Sequence, residues 1–121
     1  MAKTLSKQFI LKQEALLKKQ EEKIKKQIET LRKEDPFADP EHASDNAAVD
    51  TDVREQVGHE TIEAQVKDLE RKLTAIQTAI KKIEKQTYGI CERCHKNIPL
   101  ARLNLIPEAS YCVSCEQRLR S

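Results

Sequence analysis

Apolar residues recur along this chain in two long seams, separated by a stretch that no helix can cross. In the first seam Ile10, Leu17, Ile24 and Leu31 return every seven residues, with Ile28 at the intermediate position near the end. Earlier intermediate positions hold Gln13 or Glu14 and Gln20 or Glu21, so that part of the seam is weak. In the second, Ile62, Val66, Leu69, Leu73, Ile76, Ile80 and Ile83 follow alternating steps of four and three, which is a coiled-coil seam over three heptads. Lys67, Glu70, Arg71 and Lys81 fall between them on solvated faces. The spacing, with good helix formers and no Pro or Gly in the first segment, predicts helices over about 3–33 and 53–87. Asp50, Thr51 or Asp52 can cap the second helix, Glu55 stands three residues after Asp52 as in a capping box, and Gly89 suits the left-handed position beyond its end.

Asp35-Pro36-Phe37-Ala38-Asp39-Pro40 interrupts the two seams, because neither proline fits a helix interior. Both seams are buried at once if the helices fold back on each other as an antiparallel hairpin. A parallel homodimer would also bury them but leaves the proline-containing turn without a purpose. The predicted fold is therefore mainly α. A coiled-coil hairpin occupies 1–87, with its tip at about 34–52, and a small base occupies 88–121. At about 1.5 Å per residue each arm is roughly 45 Å long. A short helix is expected between Cys112 and Ser121, with Leu119 and Val113 as its buried residues.

Composition narrows the function classes. The chain has 121 residues, 35% of them charged and only 3% aromatic, with no Trp, which is too little large apolar matter for an ordinary globular core. No run of about 18 apolar residues exists, so a membrane span is not expected. The start, MAKTLSKQFI, lacks the apolar core of an export signal, and the cytoplasm is the expected address. The formal net charge of +2 conceals a division. Glu34, Asp35, Asp39, Glu41, Asp45, Asp50, Asp52, Glu55 and Glu60 face Arg54 alone within the central segment, and the remainder is correspondingly basic. Charge segregated in this way concerns partners more than fold.

All four cysteines lie near the C-terminus, as Cys91-x2-Cys94 and Cys112-x2-Cys115. Two such pairs predict one tetrathiolate zinc site, since zinc takes four tetrahedral ligands and binds thiolates strongly. A closed set of four sulfurs leaves no position for water or substrate, so the ion is structural. Cys91-Glu92-Arg93-Cys94-His95 also fits the pattern of covalent haem attachment. That reading leaves the second pair unused and offers only Met1 as a methionine ligand, so His95 is read as a polar knuckle residue. No nucleophile–base set accompanies the cysteines, and enzymatic activity is not expected.

Tyr88-Gly89-Ile90-Cys91-Glu92-Arg93-Cys94, Ile98-Pro99-Leu100-Ala101-Arg102-Leu103 and Pro107-Glu108-Ala109-Ser110-Tyr111-Cys112-Val113-Ser114-Cys115 together resemble the DksA/TraR zinc-finger family over about the last third of the chain. The resemblance implies a monomeric transcription regulator that binds bacterial RNA polymerase. Its coiled coil would enter the secondary channel, its acidic tip would lie near the catalytic centre, and its zinc globule would stay at the rim. The family's Asp-x-x-Asp-x-Ala string does not occur here, and Asp45, Asp50 and Asp52 are the nearest substitutes. The basic residues that alarmone-responsive members carry before the finger proline and after the fourth cysteine are replaced by Ile106 and Glu116. A shared guanosine tetraphosphate site is accordingly not expected. Two other classes fit part of the pattern. The cysteine spacing matches that of DNA-binding fingers, but Arg93, Lys96 and Arg102 against Glu92 and Glu108 make too thin a basic patch for specific DNA binding alone. A structural coiled-coil adaptor is the remaining alternative.

Overall fold

The computed structural model describes residues 5–36 and 49–120, with side chains described over 5–36 and 53–120. Among these residues stand four helices: α1 (Lys7–Glu34), α2 (Val49–Glu84), α3 (Leu100–Leu105) and α4 (Val113–Arg120). One isolated antiparallel bridge, between Ile90 and Asn97, is the extended pairing among them. The fold is mainly α, as the two seams require.

Local chemistry sets the helix ends. Ser6 starts α1: its Oγ accepts from the Phe9 backbone N–H at 3.1 Å and its carbonyl from Ile10 at 3.1 Å, so the helix begins at Lys7 rather than near residue 3. Pro36 follows the last turn of α1, where Arg32 and Lys33 place positive charge at the negative end of the helix. Helix α2 begins at Val49, ahead of the expected start near 53. Positions 50–52 therefore lie within its first turn instead of capping it, and acidic residue types are favoured in that turn. At its far end Gln86 has the left-handed φ of 64°. The Gln86 N–H donates to the Ile83 carbonyl at 3.2 Å and the Thr87 N–H to that of Lys82 at 2.8 Å. That is a Schellman cap. Gln86, not Gly89, therefore closes α2.

The chain divides into two compact units, one of residues 1–22 with 73–121 and one of residues 23–72. In the first, the N-terminal half of α1 and the C-terminal half of α2 contribute to one core, in which Leu17 and Ile76 are fully buried beside Ala79 and Ile80. In the second, Ile24 and Val66 are buried, while Ile28, Leu31, Ile62 and Leu69 are half-buried. There the helices run antiparallel: Arg32 reaches Glu70 at 2.7 Å, and just past the end of α1 Asp35 reaches His59 at 2.7 Å.

Helix α4 departs from the expected burial. Val113 is 46% and Leu119 53% exposed, and Cys115 is the residue it buries. Its inward face is the one that carries the sulfur, which leaves those two aliphatic positions outside. No described helix is long and apolar enough to cross a membrane.

Candidate metal centre

Each cysteine pair is placed by a tight piece of backbone. Gly89 has φ +84°, a conformation costly for any residue with a side chain, and its carbonyl accepts from Ile98 at 2.8 Å. A Cβ there would stand 2.8 Å from Leu5 Cδ1 and 3.4 Å from Leu103 Cδ1. Beyond it the Cys91 N–H donates to the Lys96 carbonyl and the His95 N–H to the Cys91 carbonyl, both at 2.9 Å. This closes a turn in which His95 takes a left-handed φ of 60° and points outward, exposed. The second pair sits at the start of α4, where the Glu116 N–H donates to the Cys112 carbonyl at 2.9 Å. The Glu92 N–H donates to the Ser110 carbonyl at 2.9 Å and holds the two knuckles side by side.

The result brings the sulfurs of Cys91, Cys94, Cys112 and Cys115 within 4.8 Å of one another, Cys94 and Cys112 at 3.8 Å. Zinc–sulfur bonds of about 2.3 Å in a tetrahedron put neighbouring sulfurs about 3.8 Å apart, so the set fits one zinc ion. Cys91 and Cys115 are buried and Cys94 and Cys112 half-buried, which shields the cluster without sealing it. None of the four is in a disulfide.

The surroundings favour charge unevenly. Burial opposes ionisation of Cys91, but the backbone N–H groups of Cys94, Cys112 and Arg93 outweigh it and bring the thiol down to about 6. The backbone of Cys115 likewise lowers the Cys112 thiol. Cys115 goes the other way, pushed up to about 12 by burial and by the neighbouring sulfurs. Four thiolates at this separation require a cation among them, and a bound metal deprotonates its thiol ligands outright.

Charged and polar side chains tie this cluster to the helices. Lys82 of α2 meets Glu92 at 2.6 Å and donates to Ser110 Oγ at 3.3 Å, so one ammonium touches both knuckles. Arg102 Nε donates to the Tyr111 carbonyl at 2.9 Å, and its guanidinium lies 3.9 Å from Glu116. Tyr88 is buried, and its hydroxyl donates to the Pro107 carbonyl at 2.9 Å. Burial raises its pKa above the ordinary tyrosine value, with Gln13 opposing that shift and the charge of Glu108 adding to it. Lys82 carries no sequence signal for this role, and in the sequence Gln13 shows only as a weak seam position. The signal available for Gln13 was a polar residue at a position the seam reserves for an apolar one.

Of the acidic residues expected to act at the tip, Asp45 lies outside the described residues. Asp50 and Asp52 are described only as backbone of α2. Asp35, at the edge of the same segment, is paired: both of its carboxylate oxygens face His59 Nδ1, at 2.7 and 2.9 Å.

Residues 86–120 match the prokaryotic dksA/traR C4-type zinc finger. An uncharacterized protein of Aquifex aeolicus is 51% identical over 47 residues, which is 39% of this chain and 32% of that protein. The RNA polymerase-binding transcription factor DksA of Escherichia coli is 34% identical over 79 residues, covering 62% of this chain and 52% of DksA. The chain thus spans about half the length of the DksA proteins it matches. The structure of transcription factor DksA2 from Pseudomonas aeruginosa superimposes with a TM-score of 0.80, at 19% identity over 95% of this chain and 85% of that one, a likeness of fold.

Proposed function

We propose that this chain, a member of the DksA/TraR-type zinc-finger family, is a transcription regulator that binds bacterial RNA polymerase directly. The observation that carries this reading is the finger itself. Four sulfurs are gathered within 4.8 Å in a segment that matches the family, in a chain whose relatives include proteins named as RNA polymerase-binding factors. In this reading Cys91, Cys94, Cys112 and Cys115 hold one zinc ion, which supplies cross-linking of the base and no reactive position. The protein acts as a monomer in the cytoplasm, without enzymatic activity of its own. The paired helices enter the secondary channel and bring the acidic segment to the catalytic centre, where Asp45, Asp50 and Asp52 are the acting carboxylates. Asp35 is set apart from them by its pairing with His59.

The finger's own charges favour this reading over direct DNA binding. Arg102 is engaged with Tyr111 and Glu116, which leaves Arg93 and Lys96 as exposed cations around the first knuckle. Glu116 stands where a cation would be needed for guanosine tetraphosphate, and it is paired with Arg102 and Arg120. Regulation by that nucleotide through this position is not expected.

The test replaces Asp45, Asp50 and Asp52 together by Asn, which preserves size and removes charge. The variant is expected to compete for polymerase like the parent while losing its effect on initiation in a purified transcription assay. Unchanged regulation would refute the acting tip, and loss of polymerase binding would refute the assignment of binding to the base and arms.

A further inference from the structure

Gln13 occupies a seam position on α1 and is buried to 1% exposure, beside the fully buried Leu17. Its Nε2 donates twice, to the Tyr88 hydroxyl at 3.1 Å and to the Leu103 carbonyl at 2.8 Å. The Tyr88 hydroxyl in turn donates a hydrogen bond to the Pro107 carbonyl at 2.9 Å. The three acceptors are spread over the finger. Tyr88 leads into the first cysteine pair, Leu103 lies on α3, and Pro107 begins the approach to the second pair. One amide therefore ties α1 to the segments that carry the ligands in and out of the cluster. Leu5, just before α1, packs against the same place, filling the space where a Cβ on Gly89 would stand.

Removing the amide would leave a buried carbonyl without a donor and a tyrosine hydroxyl with one partner fewer. The Leu103 carbonyl is the group stranded outright, since the Tyr88 hydroxyl keeps the Pro107 carbonyl as a partner, and stranding a buried carbonyl is costly. These bonds exist only while the finger backbone is held in place, and the finger backbone is held in place by the metal. The two are linked, so each must stabilise the other.

We infer that Gln13 is a positioning residue for the metal centre, a helix α1 side chain that sets how long zinc is retained. It lies outside residues 86–120, so the rate of metal loss in this chain depends on a residue beyond the matched finger. The inference rests on the zinc assignment of the four cysteines and is independent of the polymerase reading.

The test uses the full zinc-loaded chain and follows zinc transfer to a chromogenic chelator in the parent and in Gln13→Met, Tyr88→Phe and Gln20→Met. Methionine keeps the volume of Gln13 and removes its donors, so packing and hydrogen bonding are separated. Zinc loss is expected to be about tenfold faster in Gln13→Met, the kinetic counterpart of one stranded carbonyl. A smaller acceleration is expected in Tyr88→Phe and none in Gln20→Met. Hydrogen exchange on the same samples supplies the reciprocal readout: stripping zinc from the parent should expose the α1 amides around Gln13. Release from Gln13→Met at the parental rate overturns the inference. Should that variant not fold, Tyr88→Phe decides alone, since it keeps the ring, and a parental rate there has the same meaning. A parent that purifies with no zinc and binds none overturns the zinc assignment first, and this inference with it.

Discussion

Among the described residues of 23–72, Ile24 and Val66 are the buried aliphatic side chains, whereas the unit of 1–22 and 73–121 buries Leu17, Ile76, Ala79, Ile80, Tyr88, Ile98 and Leu103 along with two cysteines. The pairings differ as well. The middle unit relies on contacts such as Arg32–Glu70, whose side chains are 63% and 49% exposed. The zinc unit has Gln13 with Tyr88 and Lys82 with Glu92, and the middle unit has a shielded pair of its own, Asp35 with His59, so the contrast lies mainly in apolar burial. Apolar burial contributes about 25 cal/mol per Å², while an exposed ion pair contributes about 1 kcal/mol or less. By apolar burial the unit of 1–22 and 73–121 is expected to be the more strongly held of the two.

Metal removal breaks the comparison most completely. Apparent binding free energies of structural zinc sites are on the order of 10 kcal/mol, and here much of the zinc unit's finger has little core of its own. Chelation, or Cys112→Ser, is expected to abolish hydrogen-exchange protection across 88–120. The amides of 23–72 should change far less. Uniform loss of protection over both units would show that the contrast in burial does not translate into a contrast in stability.

Next in size is the core itself. Ile76 is fully buried in the zinc unit, and truncating such a side chain removes apolar contact and leaves a cavity. Ile76→Ala is expected to destabilise the protein by about 2–5 kcal/mol, measured by urea unfolding of the zinc-loaded chain. A loss under about 1 kcal/mol would place the strength of this unit in the metal and its polar ties, not in the seam.

How legible this contrast was in the sequence depends on the kind of residue. The cysteine spacing pointed to the four sulfurs that the fold gathers within 4.8 Å, because ligand spacing is a local pattern. The aliphatic period stated both helices and the burial of Leu17, Ile24, Val66, Ile76 and Ile80. Helix ends were less legible. Gln86 took the left-handed cap because the Schellman bonds to Ile83 and Lys82 form there, and Gly89 was needed three residues later, against Leu5. Leu119 and Val113 looked like core because they are aliphatic, but a short helix that must turn Cys115 inward has no second face to bury. Gln13 was read as a flaw in the seam. Its partners Tyr88 and Leu103 are 75 and 90 residues away, and no local pattern announces a hydrogen bond of that range.

The smallest effect is the most diagnostic of the middle unit. Arg32 and Glu70 form a direct 2.7 Å contact between α1 and α2, and both side chains are substantially solvated. Solvent screens such a pair, and ordering two long side chains opposes its formation. A double-mutant cycle with Arg32→Ala and Glu70→Ala is expected to give a coupling of about 0.2–1 kcal/mol that shrinks as salt is raised. Charge would then trim a unit held mainly by Ile24, Val66 and their half-buried neighbours. A coupling above about 2 kcal/mol, unmoved by salt, would mean that this contact is shielded in solution. The middle unit would then owe its hold to an ion pair rather than to its thin seam, and the contrast with the zinc unit would be one of mechanism rather than of strength.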